Sequence, residues 1–397
     1  MPSPVEIRHT ESCSSRSTPP IAPGNLLVFA DDWGRHPSSA QHLIARLLLN
    51  HDVSWVNTIG MRPPRLDWKT TSRAWEKLRA WSQSAPATIN NESPSPTVIE
   101  PRMWPWFRHS WDRRLNKHLL KRSLNPALAT RSGPVVAVTT LPIVADLVGA
   151  LPVDRWIYYC VDDFSTWPGL DAKPLRLMED QLVARVDRVI AVSETLKTRL
   201  SRTRDDVALL THGVDLDHWR DSGDADASLS KYPSPRILFW GLVDQRLDID
   251  FLSALANDLV EGTILLVGPE DNPDPRLEGL PRLQRIPPVP FEQLPALARQ
   301  ADVLIMPYAD RPVTRMMQPL KLLEYLASGR PAVVRDLPAV APWRDCLDAM
   351  NTPVEFSRTV RERIATGLPD SQATARGRLI NESWSAKARQ FEEFIFS

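Results

Sequence analysis

The chain has 397 residues, which at about 100–200 residues per domain favours two domains over one. A hydrophobic share of 43% supplies two cores, and 48 Lys plus Arg against 48 Asp plus Glu exclude the basic field of a dedicated nucleic-acid binder. Cys13, Cys160 and Cys346 stand far apart, which excludes a disulfide framework or a zinc-binding spacing and points to a reducing cytoplasm.

Residues 1–23 are rich in Ser, Pro and Thr and read as a disordered tail without the apolar run of a signal peptide. No stretch approaches the roughly 18–20 apolar residues of a membrane-spanning helix. The run Asn25–Ala30 reads as a buried strand ending in Asp31-Asp32, and residues 38–48 have helical spacing with Ser38 or Ser39 as cap. Val53–Asn57 is a second strand, so the segment predicts the strand–helix–strand unit of a parallel sheet. Strands are then expected at 134–139, 156–161 (ending in Asp162-Asp163), 188–192 and 207–210, with helical segments at 143–151, at 175–186 and from Ser193. A polar stretch with Gly and Pro, 219–235, reads as a linker. Beyond it, strands are expected at 236–240, 263–267, 302–306 and 331–334, alternating with helices at 248–260, 291–300 and 319–328. An amphipathic helix over about 383–395 follows. The expected organisation is an α/β protein of two doubly wound, Rossmann-like domains, 24–218 and 236–382, facing across a cleft.

The segment 302–334, DVLIMPYADRPVTRMMQPLKLLEYLASGRPAVV, resembles the donor-binding motif of glycosyltransferase family 4 (group 1), of the GT-B fold. Supporting matches are Trp240-Gly241, Val267-Gly268-Pro269, Thr211-His212-Gly213-Val214-Asp215 and Asn50-His51-Asp52-Val53. Within that family the chain is similar to the branch making teichuronic-acid-type and other exopolysaccharides. The resemblance implies a nucleoside diphosphate sugar as donor, no metal cofactor, and a polysaccharide or lipid-linked glycan as acceptor. It implies transfer with retention of configuration, and a final helix, 383–397, crossing back to the first domain.

The residues themselves suit that chemistry. Pro319 fits the first position of a helix, with Gln318 as a cap, and Leu320 follows. Such a helix start offers free N–H groups and a positive dipole end to a diphosphate. Lys321 sits in the first turn, poorly placed unless an anion is near, and the carboxylate of Glu324 can accept from two ribose hydroxyls. The alternative is a solvated Lys321–Glu324 pair on an ordinary amphipathic helix. Eight positions before Glu324, where the family usually carries a glutamate, this chain has Met316. Arg246, in the loop after Gly241, suits a phosphate; its alternative is an ion pair with Asp244 or Asp248.

On the acceptor side, Asp162 and Asp163 are candidates to orient or deprotonate a hydroxyl, the alternative being helix capping. The loop from Arg35 to Ser39 replaces the family's glycine-rich loop, and the amides of Ser38 and Ser39 are anion-binding candidates. Residues 102–122 carry seven Lys or Arg against one Asp, with Trp104, Phe107, Trp111, Leu115 and Leu119 at helical spacing. They read as a helix for an anionic membrane face, as a sugar-stacking segment, or as a core helix with a basic outer face. Two other readings share the fold. One is a catalytically silent partner in a glycan-assembly complex, which the loss of the first glutamate favours. The other is a sugar-nucleotide 2-epimerase.

Overall fold

Short apolar runs buried on both faces form parallel strands, and amphipathic crossovers cover them. The computed structural model describes residues 23–34, 38–58, 94–220 and 229–397. Residues 1–22 of the expected tail (with Cys13), Arg35–Pro37 of the acceptor-side loop and 221–228 of the expected linker lie outside the described residues.

The first sheet comprises β1 (Asn25–Ala30), β2 (Asp52–Asn57), β3 (Thr97–Ile99), β4 (Val135–Thr139), β5 (Arg155–Cys160), β6 (Arg188–Ala191) and β7 (Val207–Leu209). Its order is β3-β2-β1-β4-β5-β6-β7, with every pairing parallel. Helices α1 (Ser39–Leu47), α2 (Ser110–Ala129), α3 (Ala172–Val183) and α4 (Glu194–Leu200) connect its strands, and α5 (Leu216–Arg220) leads out of it. Residues 143–151, expected to be helical, form only a 3-10 turn over Pro142–Leu147.

The second sheet contains β8 (Arg236–Trp240), β10 (Thr263–Val267), β12 (Leu283–Ile286), β13 (Val303–Met306), β14 (Ala332–Arg335) and β15 (Asp348–Met350). Its order is β12-β10-β8-β13-β14-β15, again parallel. A ribbon of β9 (Val243–Asp244) and β11 (Glu270–Asp271) sits beyond the ends of β8 and β10. The helices are α6 (Ile249–Asp258), α7 (Leu294–Gln300), α8 (Pro312–Met316), α9 (Leu320–Ala327), α10 (Pro353–Thr366), α11 (Asp370–Ala375) and α12 (Trp384–Phe396). In both sheets the strand order reverses beside the first strand, which places a crevice beyond the ends of β1/β4 and of β8/β13.

The two halves are tied by side chains. On α12, Trp384, Ala388, Phe391 and Ile395 complete the core of the first domain, and His51 on its far side meets Glu392 at 2.6 Å. Trp384 stacks on His42 of α1 at 4.6 Å and rests on Gly213, where a Cβ would come within 2.9 Å of the indole. Met316 and Leu320 of the second domain pack against the core of the first, and His42 also faces Phe291 of the second domain, their ring centres 6.3 Å apart.

The basic segment departs from the expected helix over 102–122. The helix is α2, so Trp104 and Phe107 precede it rather than lying on its face. Its inward stripe is Asp112, Asn116, Leu120, Leu124 and Leu128, and Trp111 is 52% exposed. The inward polar pair explains the shift. Asn116 accepts from the Trp104 amide at 2.6 Å and donates to the carbonyls of Trp104 and Trp106, while Asp112 accepts from the Trp104 indole at 2.8 Å. Two buried polar side chains thus pin an aromatic loop onto the helix.

Candidate functional site

The strongest arrangement lies at the reversal point of the second sheet. LKLLEYLA consists of good helix formers, and Leu322, Leu323, Tyr325 and Leu326 bury one face of α9. Gly329, at φ +73°, ends the helix in the left-handed region that favours glycine. Pro319 is the cap and not the first helical residue: its backbone is extended (ψ 124°) and its carbonyl accepts from the Leu322 amide at 3.2 Å. Gln318 therefore stands one residue outside the cap. No side chain caps α9, so its first N–H groups are open to an anion.

Lys321 reaches back over the end of β8. Its ammonium lies 4.3 Å from the centre of the Phe239 ring and 5.3 Å from that of Tyr308. It fills the space where Gly241, at φ +130°, has no side chain; a Cβ there would fall 2.0 Å from Nζ. A Cβ on Gly268, at φ +151°, would fall equally close to the Gly241 carbonyl oxygen, so neighbouring strand ends converge on one backbone cradle. One turn along α9, partly buried Glu324 accepts from the Trp240 indole at 3.1 Å. Burial raises its pKa above the ordinary carboxylate value against the opposing effects of Trp240 and Lys321. Lys321 and Glu324 are thus not a solvated pair.

Arg246 is 8% exposed and pairs with Asp244 through Nε at 2.9 Å, which is one of the two pairings expected as the alternative to phosphate binding. Asp248 instead caps α6 and meets Arg335 at 3.2 Å. The Arg246 guanidinium also lies 4.9 Å from the centre of the Trp167 ring, so it crosses the cleft to the first domain. Met316 stands at the domain contact and offers no carboxylate there. Arg315 is exposed and pairs with Asp310 at 2.6 Å.

Across the cleft the two aspartates divide. Asp163 is buried, accepts from the amide and hydroxyl of Ser165 at 3.1 and 2.5 Å, and meets Arg199 and Arg176 at 3.5 and 3.6 Å. It caps a turn and anchors an ion cluster, which leaves no place for an acceptor. Asp162 is partly buried, and burial lifts its pKa to about 7, with Asp163 and Asp31 adding to the rise and Arg246 opposing it. The Trp167 indole N–H lies near it without forming a hydrogen bond of good geometry. Ser38 accepts from the Gln41 amide at 3.3 Å as the cap of α1, and Ser39 is buried. The anion-binding candidates of that turn are the Ser38 and Ser39 amides, at the start of α1. Trp167 is the cleft residue that sequence reasoning passed over; its position five residues after Asp162 was the available signal.

Among the described residues, no three His, Cys, Asp or Glu side chains are grouped to hold a metal ion, and no helix is long and apolar enough to cross a membrane. Cys160 and Cys346 are free and buried.

The sequence profile described as Glycosyl transferases group 1 matches residues 234–362, the part that builds this cradle. That stretch, about a third of the chain, is similar to the group 1 glycosyl transferases. It is 28% identical over 179 residues to TuaH of Bacillus subtilis (strain 168), a glycosyltransferase named for teichuronic acid biosynthesis. That match takes in 43% of this chain and 45% of the relative, so it spans less than half of the relative's length. Over 93% of this chain and 98% of the other, the fold matches sucrose-phosphate synthase from Thermosynechococcus elongatus, with a TM-score of 0.68 and 16% identity. It matches Anabaena HepE, solved in complex with UDP-glucose, at 0.60 and 12% over the same shares. These likenesses show the fold, two facing Rossmann-like domains in the GT-B arrangement.

Proposed function

We propose that this chain is a group 1 glycosyl transferase that moves a sugar from a nucleoside diphosphate sugar to a glycan hydroxyl, on a soluble or lipid-linked acceptor. The observation that carries the reading is the convergence of Lys321, Glu324, the open start of α9 and the Gly241–Gly268 cradle at one sheet reversal point. Lys321 and the α9 amides hold the diphosphate, with Arg246 joining if it releases Asp244, and Glu324 accepts from the ribose hydroxyls. These groups neutralise the leaving phosphate without a metal. The bond from the sugar's anomeric carbon to the phosphate oxygen breaks, and a bond from that carbon to the acceptor oxygen forms. The acceptor proton passes to the Asp162 carboxylate, whose pKa of about 7 suits the transfer near neutrality. Retention of configuration belongs to this proposal through the family resemblance, with Met316 leaving no carboxylate at the sugar's usual contact. The free thiols of Cys160 and Cys346 fit a cytoplasmic site of action, and UDP-glucose on the similarly folded HepE makes UDP the first base to try.

The test is a thermal-shift series with UDP, GDP, ADP and CDP and their sugar conjugates on the native chain and on Glu324→Ala. A ligand bound only by the folded state raises Tm. Stabilisation by one base, lost in the variant, is the expected result. No stabilisation by any nucleotide overturns the donor assignment and favours the silent partner.

A further inference from the structure

A second feature lies on the acceptor rim and takes no part in donor binding. The loop pinned by Asp112 and Asn116 and the start of α3 line a shallow groove open to solvent. Its walls are Pro105, Trp106 and Phe107 on one side and Pro174 and Leu175 on the other, with the Arg108–Asp171 ion pair at its edge. Trp106 continues outward into Trp104 (ring centres 4.7 Å apart) and then Trp111 (5.7 Å from Trp104). Both α2 and α3 begin at the carboxyl end of the first sheet, the rim on which Asp162 stands.

From this juxtaposition we infer an acceptor subsite for an acidic glycan chain, bound several sugars away from the reacting hydroxyl. The inference rests on the glycan-acceptor reading above and specifies the acceptor's chemical class. A pyranose has apolar faces and hydroxyl edges; the groove offers aromatic walls and a charged hydrogen-bonding pair. The charge is argued from α2. Arg114, Lys117, Lys121 and Arg122 have no ion-pair partner among the described residues, while Arg113 is held by Asp146 at 2.8 Å. Four unneutralised cations along one helix complement a carboxylated polymer. A membrane surface fits less well. The outward stripe Arg114, His118 and Arg122 bears no apolar residue beyond Trp111, and Leu120, Leu124 and Leu128 face the core, so α2 has no apolar face to insert.

The experiment titrates the full chain calorimetrically with short oligogalacturonates and neutral dextran oligosaccharides, and sediments it with phosphatidylglycerol vesicles. Oligogalacturonate is expected to bind more tightly than dextran, and binding should weaken in high salt. Trp106→Ala should raise Kd about tenfold, as should Arg114→Glu with Arg122→Glu, two exposed sites whose change leaves the core intact. The nucleotide-induced rise in Tm should be unchanged in these variants, and Glu324→Ala should lose it while keeping the oligosaccharide. Nucleotide failure with oligosaccharide binding intact would therefore sink the donor reading alone. Absence of oligogalacturonate binding, binding that neither variant weakens, or vesicle binding in its place would overturn the subsite.

Discussion

At the residue scale, Asp162 makes opposite demands on stability and activity. Its folded pKa of about 7 lies above the ordinary 3.8, so the fold favours the protonated form. The stability this confers is complete below about pH 4 and is lost as pH rises toward 7, whereas a base must be ionised and activity should rise through about pH 7. Asp162→Asn should therefore melt at or above the native Tm at pH 8 while losing transfer activity; a lower Tm at that pH contradicts the assignment. The two cradle glycines should also differ. Gly241→Ala displaces the flexible end of Lys321 and strains one backbone position, costing about 1 kcal/mol and weakening nucleotide binding. Gly268→Ala meets the Gly241 backbone carbonyl, which has no such freedom, and denaturant titration should show the larger loss. Lys321 and Glu324 were legible because a cation in the first turn of a helix asks for an anion. The fate of Arg246 was not, since a loop arginine's partner depends on where Asp244 lands after folding.

At the element scale, α2 shows what periodicity conceals. Its inward face contains Asp112 and Asn116, so an apolar count placed the stripe one residue away, on Trp111, Leu115 and Leu119. Asn116→Ala removes one acceptor and two donor contacts and strands the Trp104 amide, for about 2 kcal/mol by chemical denaturation. It should also loosen the aromatic groove while sparing nucleotide binding. The central strands were readable as apolar runs, whereas the edge strands β3, β12 and β15 were not. Each has three or four residues and at least two that are exposed or only partly buried, so none carries an apolar run. Helix α10 was missed although Thr352, Pro353 and Glu355 mark its start; Thr352 accepts from the Glu355 amide at 3.3 Å.

At the scale of the whole molecule, the junction between domains is lined by histidines held neutral. Burial, with Arg46 adding, lowers the His42 pKa to about 4, and burial lowers that of His212 to about 3. Both folded values lie below the unfolded 6.5, so the stability they permit is present above about pH 6.5 and drains away as pH falls toward 4. Acid melting should therefore steepen below pH 6.5, and His42→Phe, which keeps the stack on Trp384, should soften that dependence. The two-domain plan was legible from the repeated strand–helix alternation. The closeness of the halves was not, because His42–Phe291 and Arg246–Trp167 join residues far apart in sequence. The placement of Trp384, Phe391 and Ile395 in the first domain's core bears on synthesis at the ribosome. The earlier domain emerges with the flank of α1 uncovered and stays unfinished until the later one has been translated. A chaperone that shields apolar surface would therefore hold the nascent first half throughout that interval, and release would coincide with the docking of α12.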